Sequence, residues 1–291
     1  MTVFRPRRSA LYVPGSNARA LAKAGELGTD VVILDLEDAV SPQAKLEARD
    51  CIAKQFEKGF GDKEVVIRVN GAETPWGEED LTFCASVKPD AVLVPKVSNA
   101  STIMTLARTL DRLAMPQTTR IWTMVETPLA ILNIANIASV AQDPASRLSC
   151  LVMGTNDLIK ETRVRSIPGR ANQLPWLSTS VAAARAYDLA ILDGVYNKID
   201  DQEGFAEECQ QAVDFGFDGK TLIHPSQIEV ANTLFSPSDN EIAYAQALVA
   251  FFEQPENADK GVLSFNGQMV ERLHLEMARR TLMIARAASR V

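Results

Sequence analysis

The feature that most limits what this chain can fold into is a rhythm: eight short aliphatic runs alternate with helix-forming stretches almost from end to end. SALYVPG precedes NARALAKAGELG, and DVVILDLED precedes a helix that starts at Pro42 and runs to Phe56. VVIRVN precedes a helix around PWGEEDLTFCASV. AVLVPKV, IWTMVET and CLVMGTNDL follow, each with a helical pattern after it, and LAILDGVY and GKTLIHP close the series. The runs are apolar throughout instead of alternating, as expected of parallel strands covered on both faces. Eight such units predict an α/β fold, a closed (β/α)8 TIM barrel. A doubly wound open sheet is the competing arrangement, but no GxGxxG follows the first run. At 291 residues the chain has the usual size for one α/β barrel.

After the eighth unit, SPSDNEIAYAQALVAFFEQ has the pattern of a helix N-capped by Ser238 or Asp239, GVLSFNGQMVE is short and contains a turn, and LHLEMARRTLMIARAAS is amphipathic. The expected division is a catalytic barrel over 1–236 and a helical extension or lid over 237–291, packing on a neighbouring subunit. A net charge of −7 argues against nucleic acid or an anionic membrane as partner. The four cysteines form no CxxC pair, no apolar run reaches eighteen residues, and the basic N-terminus lacks an apolar signal core. Together these predict a cytoplasmic, reduced protein.

In a barrel, the carboxyl ends of all strands converge on the face that carries catalysis. That face would receive Asp35, Glu37, Asp38, Arg68, Asn70, Lys96, Glu126, Asn156, Asp157, Asp193 and His224. Glu126 and Asp157 end adjacent strands, so their carboxylates are expected to meet, and without a counter-charge they would repel and raise one pKa. Mg²⁺, with Mn²⁺ as its substitute, suits two carboxylates completed by water and substrate oxygens. With only two histidines in the chain, zinc does not fit. Arg68 offers a planar fork for a carboxylate or an enolate oxygen. Gly154 would let a substrate carboxylate approach backbone N–H groups, with Asn156 beside it. Glu37 is expected to support these groups from behind, Lys96 to form a structural ion pair, and His224 to hydrogen-bond its own loop.

The motifs RSALYVPGSNARALAKA, DVVILDLEDAVSPQAKLEAR, VIRVNG, VPKV, VETP, GTNDL, GKTLIHPSQ and GQMVE, in that order, resemble the citrate lyase β-subunit-like CoA-ester lyases of the HpcH/HpaI aldolase group. The resemblance implies a Mg²⁺-dependent enzyme that makes or cleaves a C–C bond in a 3-hydroxyacyl-CoA of the malyl-, methylmalyl- or citramalyl-CoA type, giving an acyl-CoA and a 2-oxoacid. It implies that Glu126 and Asp157 hold the metal, that Arg68 contacts the 2-oxoacid and thioester carbonyl, and that Tyr12 and Lys23 contact the CoA ester. It also implies a homotrimer or homohexamer with exchanged tails. Two positions depart from the pattern: Asn17 stands where the family has arginine, with Arg19 two residues on, and Glu271 stands where family lyases have the acid/base aspartate. The MVE segment beside GTNDL is similar to malyl-CoA thioesterases, so hydrolysis of the thioester is the alternative activity. A third reading is the β subunit of a multi-subunit citrate-lyase-like complex.

Overall fold

The computed structural model describes residues 5–257 and 259–288, which fall into two compact units: Arg7–Asn232, and Pro6 and its predecessor with the residues from Thr233 on. The first unit is the closed barrel. Its strands are β1 (Ser9–Pro14), β2 (Val31–Asp35), β3 (Glu64–Arg68), β4 (Ala91–Val94), β5 (Arg120–Val125), β6 (Leu148–Met153), β7 (Ala190–Asp193) and β8 (Gly219–Leu222). They pair in chain order, all parallel, and β8 returns to β1. Between them lie α1 (Ala18–Ala24), α2 (Lys45–Lys58), α3 (Gly77–Val87), α4 (Ala100–Arg112), α5 (Pro128–Leu132), α6 (Ile134–Ser139), α7 (Thr155–Thr162), α8 (Leu174–Ala186) and α9 (Gln202–Phe215). The helix expected to begin at Pro42 opens as one 3₁₀ turn and continues as α2. Among the described residues no helix is long and apolar enough to cross a membrane.

Every strand is buried on both faces, and its two parities do different work. Ala10, Tyr12, Val31, Ile33, Val66, Ala91, Leu93, Trp122, Met124, Cys150, Val152, Ala190 and Leu192 pack together inside the barrel. Their alternate neighbours, such as Leu11, Val32, Ile67, Val92 and Ile191, are equally buried and so face the helices. Two residues beyond the last inward apolar position, the same parity brings Asp35, Arg68, Glu126 and Gly154 to the inner mouth of the barrel.

This parity corrects one expectation. Asp193 follows inward Leu192 and therefore points outward, into a buried ion cluster and not into the site. Its Oδ2 accepts from Lys220 Nζ at 2.6 Å and its Oδ1 from Arg170 Nη1 at 2.7 Å, while Glu208 of α9 takes a second Lys220 bond at 2.7 Å. Burial alone would raise the Asp193 carboxyl, but Lys220 and Arg170 hold it below the usual range. Breaking a buried pair on one side leaves an uncompensated charge. Lys220→Met is therefore expected to destabilise the barrel by about 3–5 kcal/mol, read as a lowered urea midpoint with an unchanged slope.

The second unit carries the end of α10 (Ile228–Leu234), then α11 (Asp239–Phe252), a hairpin of β9 (Val262–Phe265) and β10 (Gln268–Glu271), and α12 (Arg272–Ala288). Ser238 is the cap: its hydroxyl accepts from Glu241 N, and the Glu241 carboxylate returns to Ser238 N, a reciprocal box. The hairpin turns on Asn266 and Gly267, with φ of 51° and 78°, which is the Asn-Gly chemistry of a tight turn. Ala245, Leu248, Phe252, Val270, Leu275 and Ala278 give this unit a core of its own.

Candidate active site

Glu126 follows β5 and is 2% exposed. Its Oε1 accepts the backbone N–H of Lys96 at 2.6 Å. Its Oε2 takes no hydrogen bond from any described residue and lies over Gly154 at the end of β6, where a side-chain Cβ would come within 2.7 Å of it. Burial pushes the Glu126 carboxyl up to about 8; the Lys96 N–H opposes this, Glu37 and Asp157 add to it, and Arg68 opposes it. Asp157 stands in the first turn of α7, immediately past Gly154, close enough for its charge to act on Glu126. The Asp157 charge thus acts on Glu126, with Arg68 the opposing cation.

The donor set fits a hard divalent cation. Among the described residues there is no group of three or more His, Cys, Asp or Glu side chains suited to a metal. Two carboxylates from Glu126 and Asp157 are instead the kind of partial shell that Mg²⁺ accepts when water and substrate complete it. A cation there also offsets the burial, and the added repulsion of Asp157 and Glu37, that raise Glu126.

Arg68 differs from expectation in one respect. The β2–β3 register sets Asp35 directly opposite Arg68, and the two form a fork-to-fork pair, Nε to Oδ1 at 2.7 Å and Nη2 to Oδ2 at 2.5 Å. The guanidinium is therefore not a surplus charge: Asp35 neutralises it, and what remains is an oriented donor edge at Nη1. That edge meets Glu37 Oε2 at 2.9 Å and Asp38 Oδ2 at 3.4 Å. Burial raises the Glu37 carboxyl to about 7, with Arg68 pulling it down and Asp38 and Asp35 pushing it up. The Tyr12 ring lies beneath Arg68, 5.0 Å from the guanidinium carbon, and its hydroxyl is 3.5 Å from Met124 Sδ. Tyr12 is thus packed into the barrel and supports Arg68.

Behind this pair is a polar network that sequence reasoning missed. Lys45 of α2 donates to Leu36 O at 2.7 Å, Glu37 O at 2.8 Å and Asn70 Oδ1 at 2.9 Å. Asn70 in turn donates to Leu36 O and to Asp80 Oδ2, so it ties two loops together and does not enter the site. Lys45 shares the buried face of α2 with Ala48, Ile52 and Gln55, and that helical spacing was the available signal.

The other expected residues fall as follows. Gly154 does not offer its own N–H to a ligand, because that group donates to Val125 O at 3.0 Å; its missing side chain makes room for Glu126. Asn156 is exposed and exchanges amide hydrogen bonds with Asn197 at 2.7 and 3.2 Å, a partner the sequence did not flag. Lys23 is exposed in the last turn of α1. Asn17 is that helix's cap, its side chain accepting from Ala20 N, which accounts for an amide at this place. Lys96 makes no ion pair among the described residues, contrary to expectation. His224 caps its own turn through Ser226, as expected. Glu271 ends β10 in the other unit, its backbone N–H donating to His274 Nδ1 at 3.0 Å.

Comparison with known proteins adds to this geometry. Residues 8–225 match a family model described as HpcH/HpaI aldolase/citrate lyase. The chain is 46% identical over 283 residues to a (3S)-malyl-CoA thioesterase of Cereibacter sphaeroides, covering 97% of this chain and 95% of the relative. It is 32% identical to the citrate lyase subunit beta of Leuconostoc mesenteroides subsp. cremoris, covering 97% and 94%. Among solved structures it is similar to CitE from Mycobacterium tuberculosis in complex with magnesium, acetoacetate and coenzyme A, with a TM-score of 0.74, 31% identity and coverage of 96% and 97%.

Proposed function

The chain belongs to the HpcH/HpaI aldolase/citrate lyase family, and from that premise we propose that it is a Mg²⁺-dependent carbon–carbon lyase acting on a malyl-CoA-type 3-hydroxyacyl-CoA. The observation that carries this reading is the buried Glu126 carboxylate, held by Lys96 N–H on one oxygen and open over Gly154 on the other, with Asp157 beside it. Glu126 and Asp157 would hold the ion. When bound, Mg²⁺ supplies Lewis acidity, lowering the pKa of the substrate hydroxyl and stabilising charge on the departing 2-oxoacid. Arg68 Nη1, aimed by Asp35, donates to the thioester oxygen as negative charge moves onto it. Glu37 and Asp38 stand at that edge, Asp38 accepting from Nη1 and Glu37 as an ion-pair partner, so substrate must displace them. As the C–C bond breaks, the hydroxyl gives up its proton to solvent and the enolate carbon gains one, which we assign to Glu271, reaching the site of a neighbouring copy in a homotrimer or homohexamer.

Hydrolysis is the second reading, favoured by the higher identity to proteins named malyl-CoA thioesterases than to citrate lyase β subunits. The two require opposite treatment of water, which is excluded in cleavage and becomes the nucleophile in hydrolysis. Incubation with malyl-CoA and Mg²⁺ separates them: the lyase releases acetyl-CoA and glyoxylate, and malate with free CoA overturns it in favour of hydrolysis. Activity of the isolated chain on free CoA esters likewise tells against a subunit that works only inside a larger complex.

The raised Glu126 carboxyl sets the pH dependence of the metal. Its ordinary value is 4.5 and burial lifts it to about 8, so between these values the folded protein holds a proton that the unfolded chain has lost. Without metal, this group's contribution makes stability fall as pH rises through that window. Mg²⁺ must displace the same proton. Its apparent affinity is expected to weaken by about tenfold from pH 7.5 to pH 6.5, measured by calorimetric titration; a flat profile would contradict the assignment of Glu126 as ligand.

A further inference from the structure

Lys96, two residues past β4, has a conformation and an environment that the fold itself does not require. Its φ is 53°, the left-handed region that a lysine enters only at a cost. That turn aims its N–H at Glu126 Oε1 at 2.6 Å. A glycine would present the same N–H without the strain, so the backbone role does not explain a lysine here.

The side chain is exposed, and no carboxylate of a described residue lies within the 4.0 Å of an ion pair. It contrasts with the other cations of this region: Arg68 is matched by Asp35, and Lys45 by two carbonyls and an amide. Lys96 is therefore fixed beside the acids of the barrel mouth through its N–H, with its exposed ammonium paired to no described carboxylate. Once a metal ion occupies Glu126 and Asp157, that acid charge is compensated and the ammonium is available to an incoming anion. Seven other described non-glycine residues share a positive φ; what sets Lys96 apart is that its N–H bond to Glu126 holds the conformation at the barrel mouth.

We propose that Lys96 is an anion-binding residue of the site, its ammonium taking a carboxylate oxygen of the small 2-oxoacid half of the substrate. The assignment rests on the lyase reading above and adds the residue that selects the acid. The alternative anion, a phosphate of CoA, is less suited to a cation fixed beside the metal-site acids; the exposed cations Arg19 and Lys23 of α1 are candidates for that.

Lys96→Gly tests this, because it removes the ammonium, keeps the N–H and relieves the strain. Three titrations of the full chain are compared with wild type: Mg²⁺ alone, oxalate in saturating Mg²⁺ as a stand-in for the 2-oxoacid, and free CoA. The oxalate Kd is expected to weaken at least about tenfold, equivalent to about 1.4 kcal/mol, while the Mg²⁺ and CoA values stay within about threefold. Tm is expected to rise by about 1–3 °C as the left-handed strain is released. Lys96→Arg should recover most of the oxalate affinity. Oxalate affinity unchanged in Lys96→Gly overturns the assignment, as does a selective loss of CoA binding. A fall in Tm accompanied by weakening of all three ligands marks a structural residue and also overturns it. Failure of the wild type itself to bind oxalate with Mg²⁺ overturns the lyase reading as well, which distinguishes the two failures.

Discussion

Glu126→Gln is expected to lower kcat/KM on malyl-CoA by at least about 10³-fold, equivalent to about 4 kcal/mol of transition-state stabilisation. The amide keeps the shape and still accepts the Lys96 N–H through its oxygen, so the barrel mouth is preserved. What it loses is the negative charge that a hard cation needs. Without metal, stability moves the other way. An ionised carboxylate at 2% exposure is costly, and the glutamine has no charge to bury. The variant's Tm should therefore exceed that of metal-free wild type above about pH 8, where Glu126 ionises, and the two should converge as pH falls towards 5. Adding Mg²⁺ should raise the Tm of wild type and leave the variant unmoved. Near-wild-type turnover, or a Mg²⁺-dependent Tm in the variant, would show that the metal is held elsewhere.

How much of this was legible depended on whether one strand or two were involved. The order and number of the βα units were readable because parallel strands covered on both faces leave unbroken apolar runs between helices. The same unbroken runs hide parity. Nothing in LAILDGVY shows that Leu192 points inward and Asp193 outward, which is how a residue of the Lys220 cluster came to be assigned to the mouth. Glu126 and Asp157 were visible because an acid directly after aliphatic residues is anomalous in any local context. The neutralisation of Arg68 was not, because it depends on the register that sets Asp35 opposite it across two strands. The left-handed backbone of Lys96 likewise has no sequence signal, since lysine is not a residue that announces a positive φ.

Gly154→Ala is expected to cost about 10²-fold in kcat/KM, the penalty for misplacing a catalytic group by about an ångström, although it adds only a methyl group. The backbone does not forbid alanine: φ at this position is −99°, open to any residue. The obstacle is Glu126. The new Cβ would overlap the Glu126 Cβ and come within 2.7 Å of Oε2 and 3.1 Å of Met124 Cε. Neither side can yield freely, because Gly154 N–H is bonded to Val125 O and Glu126 Oε1 to Lys96 N–H. Either the carboxylate rotates and gives up the Lys96 bond, or β5 and β6 spread at their mouth ends, with overpacking worth about 1–3 kcal/mol of stability. Rotation would show as weakened Mg²⁺ binding at nearly constant Tm, and spreading as a lowered Tm. An alanine variant that matched wild type in turnover, Tm and Mg²⁺ affinity would mean that the catalytic ion does not depend on where Glu126 Oε2 lies.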